Sequence, residues 1–406
     1  MILSIGLIII AGFLAGEVLS RIKIPGLVGM IAIGMIIGPY YLNLIDSSVL
    51  DISSQLRQIA LVIILTRSGL NLDLSSLKKV GRSAVLMCFI PATFEIVGVA
   101  FASFYLIGLS IFESILLGCV LSAVSPAVVS PRMIKLIEQG YGETKSIPKL
   151  VLAGSSVDDI YVIVLFYAFL GLVSNNSFDS SAILQIPTSI ILGGVLGLGV
   201  GFLLSTVINR FHPSTTVNVI LMLGLSFLLI GLESAVSNWV SFSSLVSIIV
   251  SAMVVLFKNK DEARKISAGY NKLWKVFEII LFVLVGATID LSFALSNSGV
   301  AIVVLILGLL ARTIGVYICL LGTKLNSKEK LFVALAYLPK ATVQASIGGI
   351  ALSAGLSCGS IILTVAVLSI IITAPLGAFA IDNFSDKLLS REEGFKQENL
   401  IELSQS

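Results

Sequence analysis

The chain has 406 residues, of which 57% are hydrophobic and only 12% charged, and its formal net charge is +3. Its mean hydropathy is +1.06, and an average soluble domain is about 25% charged. This composition excludes a soluble enzyme, a disordered chain, a nucleic-acid binder and a small disulfide scaffold. The apolar runs are about 20 residues long, where a barrel strand needs about 10 with alternating polarity, so the expected class is an all-α polytopic membrane protein.

In chain order the runs predict thirteen spans, at 2–20, 25–44, 56–74, 83–107, 111–131, 148–174, 183–208, 216–235, 238–257, 274–297, 299–323, 327–353 and 359–381. The first run has no basic segment before it and no small-residue cleavage site after it, so it reads as a retained helix. Loops after odd-numbered spans, with the tail, hold 22 of the 26 Lys and Arg residues; the exceptions are Arg57, Arg67, Arg312 and Lys340. By the positive-inside rule the N-terminus is expected outside and the C-terminus in the cytoplasm. The basic stretch Lys258–Lys275 reads as a solvated cytoplasmic link between two halves, within reach of anionic lipid. The four cysteines are scattered through apolar runs without any Cys-x-x-Cys pair, and there is one histidine, His212. Neither metal nor redox chemistry has support from them, and no cofactor is expected.

Ionisable residues deep in a span are costly and mark function. Counted from their predicted span starts, Glu95, Asp158, Asp159, Arg312 and Lys340 lie 10–13 residues in, about 15–20 Å from a membrane face. Five groups at one depth, from four spans, predict one polar centre. Glu17 and Arg21 read as a snorkelling pair. Arg67 reads as structural, neutralised by Asp73 or by carbonyls. Glu233, Glu278 and Asp290 lie nearer span ends.

Two spans look interrupted. Pro126 falls in the middle of span five, and Pro339-Lys340 in the middle of span twelve. Proline removes a donor and clashes with the preceding turn, and such breaks are tolerated in a bilayer only against protein or a wet cavity. The two spans are seven apart, as are those of Glu95 and Arg312. That spacing predicts two six-helix inverted repeats with crossed discontinuous helices and span seven as connector. Lys340 would balance the negative half-helix ends. Glu95 is the natural counter-charge of Arg312, in a pair that sets geometry between the halves.

Asp158 and Asp159 are adjacent, hence about 100° apart on a helix, and cannot form a face-to-face dyad. One can face a cavity while the other faces a neighbouring helix. A carboxylate removed from water holds a proton more readily, and it can take a proton or a small hard cation but not both at once. That competition suffices to exchange Na⁺ or Li⁺ against H⁺. Gly154, Ser155 and Ser156 are small and let another helix approach. Arginine stays protonated, so Arg312 is not expected to carry protons.

The stretches Ser122–Pro131, Gly154–Ile160 and Leu338–Ala345, supported by Ile59–Leu70 and Leu284–Ala287, resemble the cation:proton antiporter superfamily, and within it the NHA-type sodium/proton exchangers related to NapA and NhaA. The resemblance runs from about span three to span twelve. It implies the NhaA-like fold, elevator-type alternating access and a homodimer. Residues 1–82 would hold the first part of a dimerisation domain and the start of the core, and 83–174 the first core repeat. Residues 175–257 would hold the connector and the rest of the dimerisation domain, 258–381 the second core repeat, and 382–406 a short cytoplasmic tail. By motif position Asp159 matches the main ion-binding aspartate and Asp158 its partner. Lys340 matches the lysine of the second broken helix, and Glu95 with Arg312 matches the NHA-type pair. Ser125 and Ser155 complete the candidate ion-binding and proton-carrying set, with Thr288 and Gln344 as candidate cavity-lining residues. Thr288 departs from relatives that carry an acidic residue there, which changes the field at the cavity.

The function expected is electroneutral exchange of one Na⁺ or Li⁺ for one H⁺ in the inner membrane of a bacterium, with membrane lipids and a second copy of the chain as partners. Electrogenic exchange with two protons and K⁺/H⁺ exchange are the alternatives. An intramembrane aspartyl protease would need aspartates on different helices, and a strong carboxylate site disfavours a channel.

Overall fold

The computed structural model describes residues 1–71, 81–174, 180–236 and 239–391, all helix and connecting turns apart from one isolated bridge between Tyr141 and Arg391. Asp73, the side chain of Ser156 and the tail from residue 392 lie outside the described residues. The helices are α1 (Ile2–Arg21), α2 (Gly26–Ile37), α3 (Ser47–Asp51), α4 (Ser53–Leu70), α5 (Arg82–Met87), α6 (Ile90–Leu106), α7 (Ile111–Leu121) and α8 (Pro126–Glu138). They continue as α9 (Ile147–Ser174), α10 (Ser180–Phe211), α11 (Thr215–Val236), α12 (Ser244–Lys258), α13 (Lys260–Ala287) and α14 (Leu291–Cys319). The last are α15 (Ser327–Ala336), α16 (Thr342–Ile347), α17 (Ile350–Ser353) and α18 (Gly359–Leu388).

Among the described residues eight helical stretches are long and apolar enough to cross a membrane. The other predicted runs also fold as helix but fall short for identifiable reasons. α2 and α12 are short. α4 carries Arg57 and Arg67, α13 begins with a charged stretch, and span twelve is broken into α15, α16 and α17.

Two expectations are corrected. Lys258–Lys275 is not a solvated link: only Asn259 separates α12 from α13, and Ala263, Ile266, Tyr270 and Trp274 are buried. Their spacing of three and four residues is a helical stripe, which the flanking lysines and arginines mask in a hydropathy average. The run 274–297 is not one helix either. It stops at Ala287, and α14 restarts after Asp290, whose carboxylate accepts from the backbone N–H of Ser292 at 2.9 Å and of Phe293 at 3.2 Å. An aspartate N-cap starts a helix inside an otherwise apolar run.

Packing divides the helices into two groups. α6 runs along α14, and α7, α9 and α18 join that group; α1, α2, α4, α10, α11, α12 and α13 form the other. Within the second group α2 and α13 cross with their backbones nearly touching. A Cβ at Gly34 would collide with the Val283 carbonyl, and one at Gly286 with the Ile31 carbonyl. Small residues at such crossings replace the hydrophobic drive that lipid removes. The short helix α16 touches members of both groups, including α4, α13 and α18.

Candidate functional site

Both broken spans stop helical winding where their prolines stand. α7 ends at Leu121 and α8 begins at Pro126; α15 ends at Ala336 and α16 begins at Thr342. The two unwound stretches meet: the Ser125 N–H donates to the Pro339 carbonyl at 2.8 Å. Gln344 Nε2 donates to the Leu121 carbonyl at 3.2 Å and the Ala123 carbonyl at 2.9 Å, satisfying acceptors freed at the end of α7. Lys340 donates its backbone N–H to Thr373 Oγ1 on α18 at 2.9 Å. Each broken end is therefore tied by the other span or by a neighbouring helix, as backbone polarity away from water requires.

The charged side chains at this crossing form a chain of alternating sign. Lys340 Nζ lies 2.8 Å from the Glu95 carboxylate, and Arg312 Nη1 2.7 Å from Glu95 Oε2. Arg312 Nη2 lies 2.8 Å from Asp158 Oδ2, which also accepts the Val124 backbone N–H at 3.0 Å. Arg312 Nη1 also donates to the Ser122 carbonyl, and its guanidinium lies 5.3 Å from the centroid of the Tyr337 ring. All four charged residues are at most 1% exposed. Two cations and two anions sum to zero, so the chain satisfies itself without outside charge.

Asp159 stands apart from it. The side chain is 1% exposed, and neither carboxylate oxygen has a hydrogen-bond partner. It lines a cavity of about 90 Å³ together with Arg67, Ser68, Asn71, Ser130, Trp274 and Thr342. Thr342 Oγ1 is a second buried oxygen without a partner. One unpartnered carboxylate beside neutral oxygen donors, in a cavity that Arg67 also lines, suits a small hard cation or a proton.

The remaining candidates fall around this point. Ser125 stands at the N-cap position of α8 without a side-chain cap bond, its buried Oγ having no partner, while Ser155 Oγ donates to the Leu152 carbonyl at 3.2 Å. Neither Thr288 nor Gln344 lines the Asp159 cavity: Thr288 Oγ1 donates to the Val285 carbonyl at 2.9 Å at the end of α13, and Gln344 belongs to the crossing. Glu17 and Arg21 face each other at 3.7 Å, both exposed. Glu233 bonds Ser244. Sequence reasoning passed over Thr342, Asn71 and Trp274 as cavity residues and treated Arg67 as structural. The available signals were the position of Thr342 just after the unwound stretch and the buried stripe of α13 that carries Trp274.

Crossed half-helices around a buried acidic group are the build of a secondary active transporter. Residues 5–382 match the family described as "Sodium/hydrogen exchanger, transmembrane". The chain is similar to human sodium/hydrogen exchanger 9B2, at 33% identity over 411 residues, covering 96% of this chain and 75% of the relative. It is similar to human sodium/hydrogen exchanger 9B1, at 33% identity over 406 residues, covering 95% and 78%. Its fold is similar to the sodium proton antiporter MjNhaP1 from Methanocaldococcus jannaschii at pH 8, with TM-score 0.80, 23% identity, and coverage of 95% of this chain and 96% of that one. The chain belongs to the sodium/hydrogen exchanger family: it is a transmembrane transporter and not an enzyme.

Proposed function

We propose that this exchanger moves one Na⁺ or Li⁺ against one H⁺, the two competing for Asp159. The observation that carries the reading is the contrast between neighbouring carboxylates. Asp158 is held by Arg312 and the Val124 N–H, whereas both oxygens of Asp159 are unpartnered beside the cavity. An unpaired carboxylate out of water costs several kcal/mol, so Asp159 is stable only when something positive occupies it. A proton or a monovalent cation meets that need equally and excludes the other.

The charge sum supports electroneutrality. Lys340, Glu95, Arg312 and Asp158 cancel, so the charge of the centre is the same with Asp159 holding a proton as with one monovalent cation. Exchange of one for the other then moves no net charge across the membrane. We further propose that the two helix groups are the core and dimerisation domains of an elevator, with the spans arranged as two inverted repeats; this grouping moves α13 (Lys260–Ala287) out of the second core repeat expected over 258–381 and into the dimerisation group. In this reading a second copy of the chain completes a homodimer in the inner membrane, with the N-terminus outside and the C-terminus inside.

Flux in proteoliposomes tests the reading. The parent protein should move Na⁺ against protons at a rate indifferent to an imposed membrane potential. Asp159→Asn should reduce exchange to that of empty vesicles while keeping the parent's elution profile in detergent. A potential-driven Na⁺ flux would favour the two-proton reading, and normal transport by Asp159→Asn would remove the site assignment.

A further inference from the structure

Helix α4 carries two arginines ten residues apart, about 15 Å along its axis. Arg67 lines the Asp159 cavity at one end. Arg57, toward the other end, is buried at 4% exposure against the last pieces of the broken span. Its Nε donates to its own helix, to the Ser53 carbonyl at 3.3 Å, and its Nη2 reaches Ser353 Oγ at 3.4 Å. Its Nη1 has no hydrogen-bond partner. Among the described residues no carboxylate lies within ion-pair distance of it. The guanidinium lies on the interruption between α16 and α17, where a Cβ at Gly349 would collide with Nη1.

Among the described residues Arg312 and Arg57 are the two arginines buried to less than a tenth exposure, and they are held very differently. Arg312 is locked by two carboxylates and a carbonyl. Arg57 has one long hydrogen bond across to the broken span and no counter-ion beyond the partial negative charge at the end of α16. A buried cation so thinly compensated recovers much of its hydration when it reaches water. The guanidinium is buried at this end of α4 while its partner Ser353 is exposed, so the contact covers the end of the helix and is weak enough to be released. Meanwhile the opposite end of α4 opens onto the ion site.

We propose that Arg57 is a latch: its contact with Gly349 and Ser353 keeps the end of α4 away from the cavity closed, and it must part for Asp159 to face the other side of the membrane. The inference rests on the exchange reading above. Loading of Asp159 would not break the contact directly; relative movement of α4 and the α16–α17 pair would.

The test joins the two sides of the latch. In Arg57→Cys/Ser353→Cys, a bifunctional methanethiosulfonate reagent bridges the thiols, and the parent protein, whose four cysteines are buried, controls for the reagent. Bridging should stop Na⁺/H⁺ exchange in proteoliposomes, and a reductant should restore it. Exchange that continues after bridging would overturn the latch. A parent protein that exchanges nothing would instead count against the exchange reading. Should the paired variant be inactive before bridging, a cysteine in place of Ala60, fully buried one turn along α4, provides a second readout. An impermeant maleimide should label Ala60→Cys several-fold faster when Arg57 is also changed to Gln, and equal labelling rates would overturn the latch.

Discussion

At the residue scale, the proposed exchange turns on two adjacent aspartates with different surroundings. Helical geometry separates their directions by about 100°, so Asp158 reaches Arg312 and the Val124 N–H while Asp159 reaches the cavity. Arg312 is the residue that enforces the difference. Its planar fork spans Glu95 on one nitrogen and Asp158 on the other while a third bond goes to the Ser122 carbonyl. Lysine has a compact ammonium without that fixed fork. Arg312→Lys should therefore lower stability by about 1–3 kcal/mol through partners left unsatisfied, read as a lower melting temperature in detergent. It should also make transport sensitive to membrane potential if a loosened Asp158 begins to take up protons. A variant as stable and as voltage-indifferent as the parent would show that the fork does not hold Asp158.

At the element scale, the site exists because two spans are broken and interlocked. Gln344 is the main side-chain tie, donating to two carbonyls at the end of α7. Gln344→Leu keeps the approximate volume and leaves those buried acceptors unpaired, at a cost of about 1–3 kcal/mol. The expected outcome is a lowered melting temperature with reduced exchange; unchanged melting would mean the α7 end finds other donors. The interruptions themselves were legible, since Pro126 and Pro339 mark where winding stops, and so were the buried charges, since their depth follows from counting residues. The break after Ala287 was not, because a hydropathy window runs over Asp290 without registering its capping role. The helical start of α13 was hidden for a related reason: its buried stripe is diluted by basic neighbours. The cavity was least legible. Arg67, Asn71, Trp274 and Thr342 come from three separate stretches of chain, and no local pattern in any one of them announces the others.

At the scale of the whole molecule, the closely packed α2–α13 pair stands beside the crossing of the two broken spans. The glycines at Gly34 and Gly286 let α2 and α13 approach until backbone meets backbone. Gly286→Val should force them apart at a cost of about 1–3 kcal/mol or more, and should lower the yield of folded protein more than it alters the Na⁺ affinity of what folds; a selective loss of affinity would place this crossing in the transport path. Against that frame the neutral charge chain and the lone Asp159 make one central claim, that proton and cation cannot share the site. The most direct measurement is the apparent KM for Na⁺ in proteoliposomes across a series of pH values. Competition predicts that KM climbs about tenfold for each unit of acidification once the carboxyl holds its proton, with the maximal rate at saturating Na⁺ unchanged. A KM that stays constant while the maximal rate falls would contradict it.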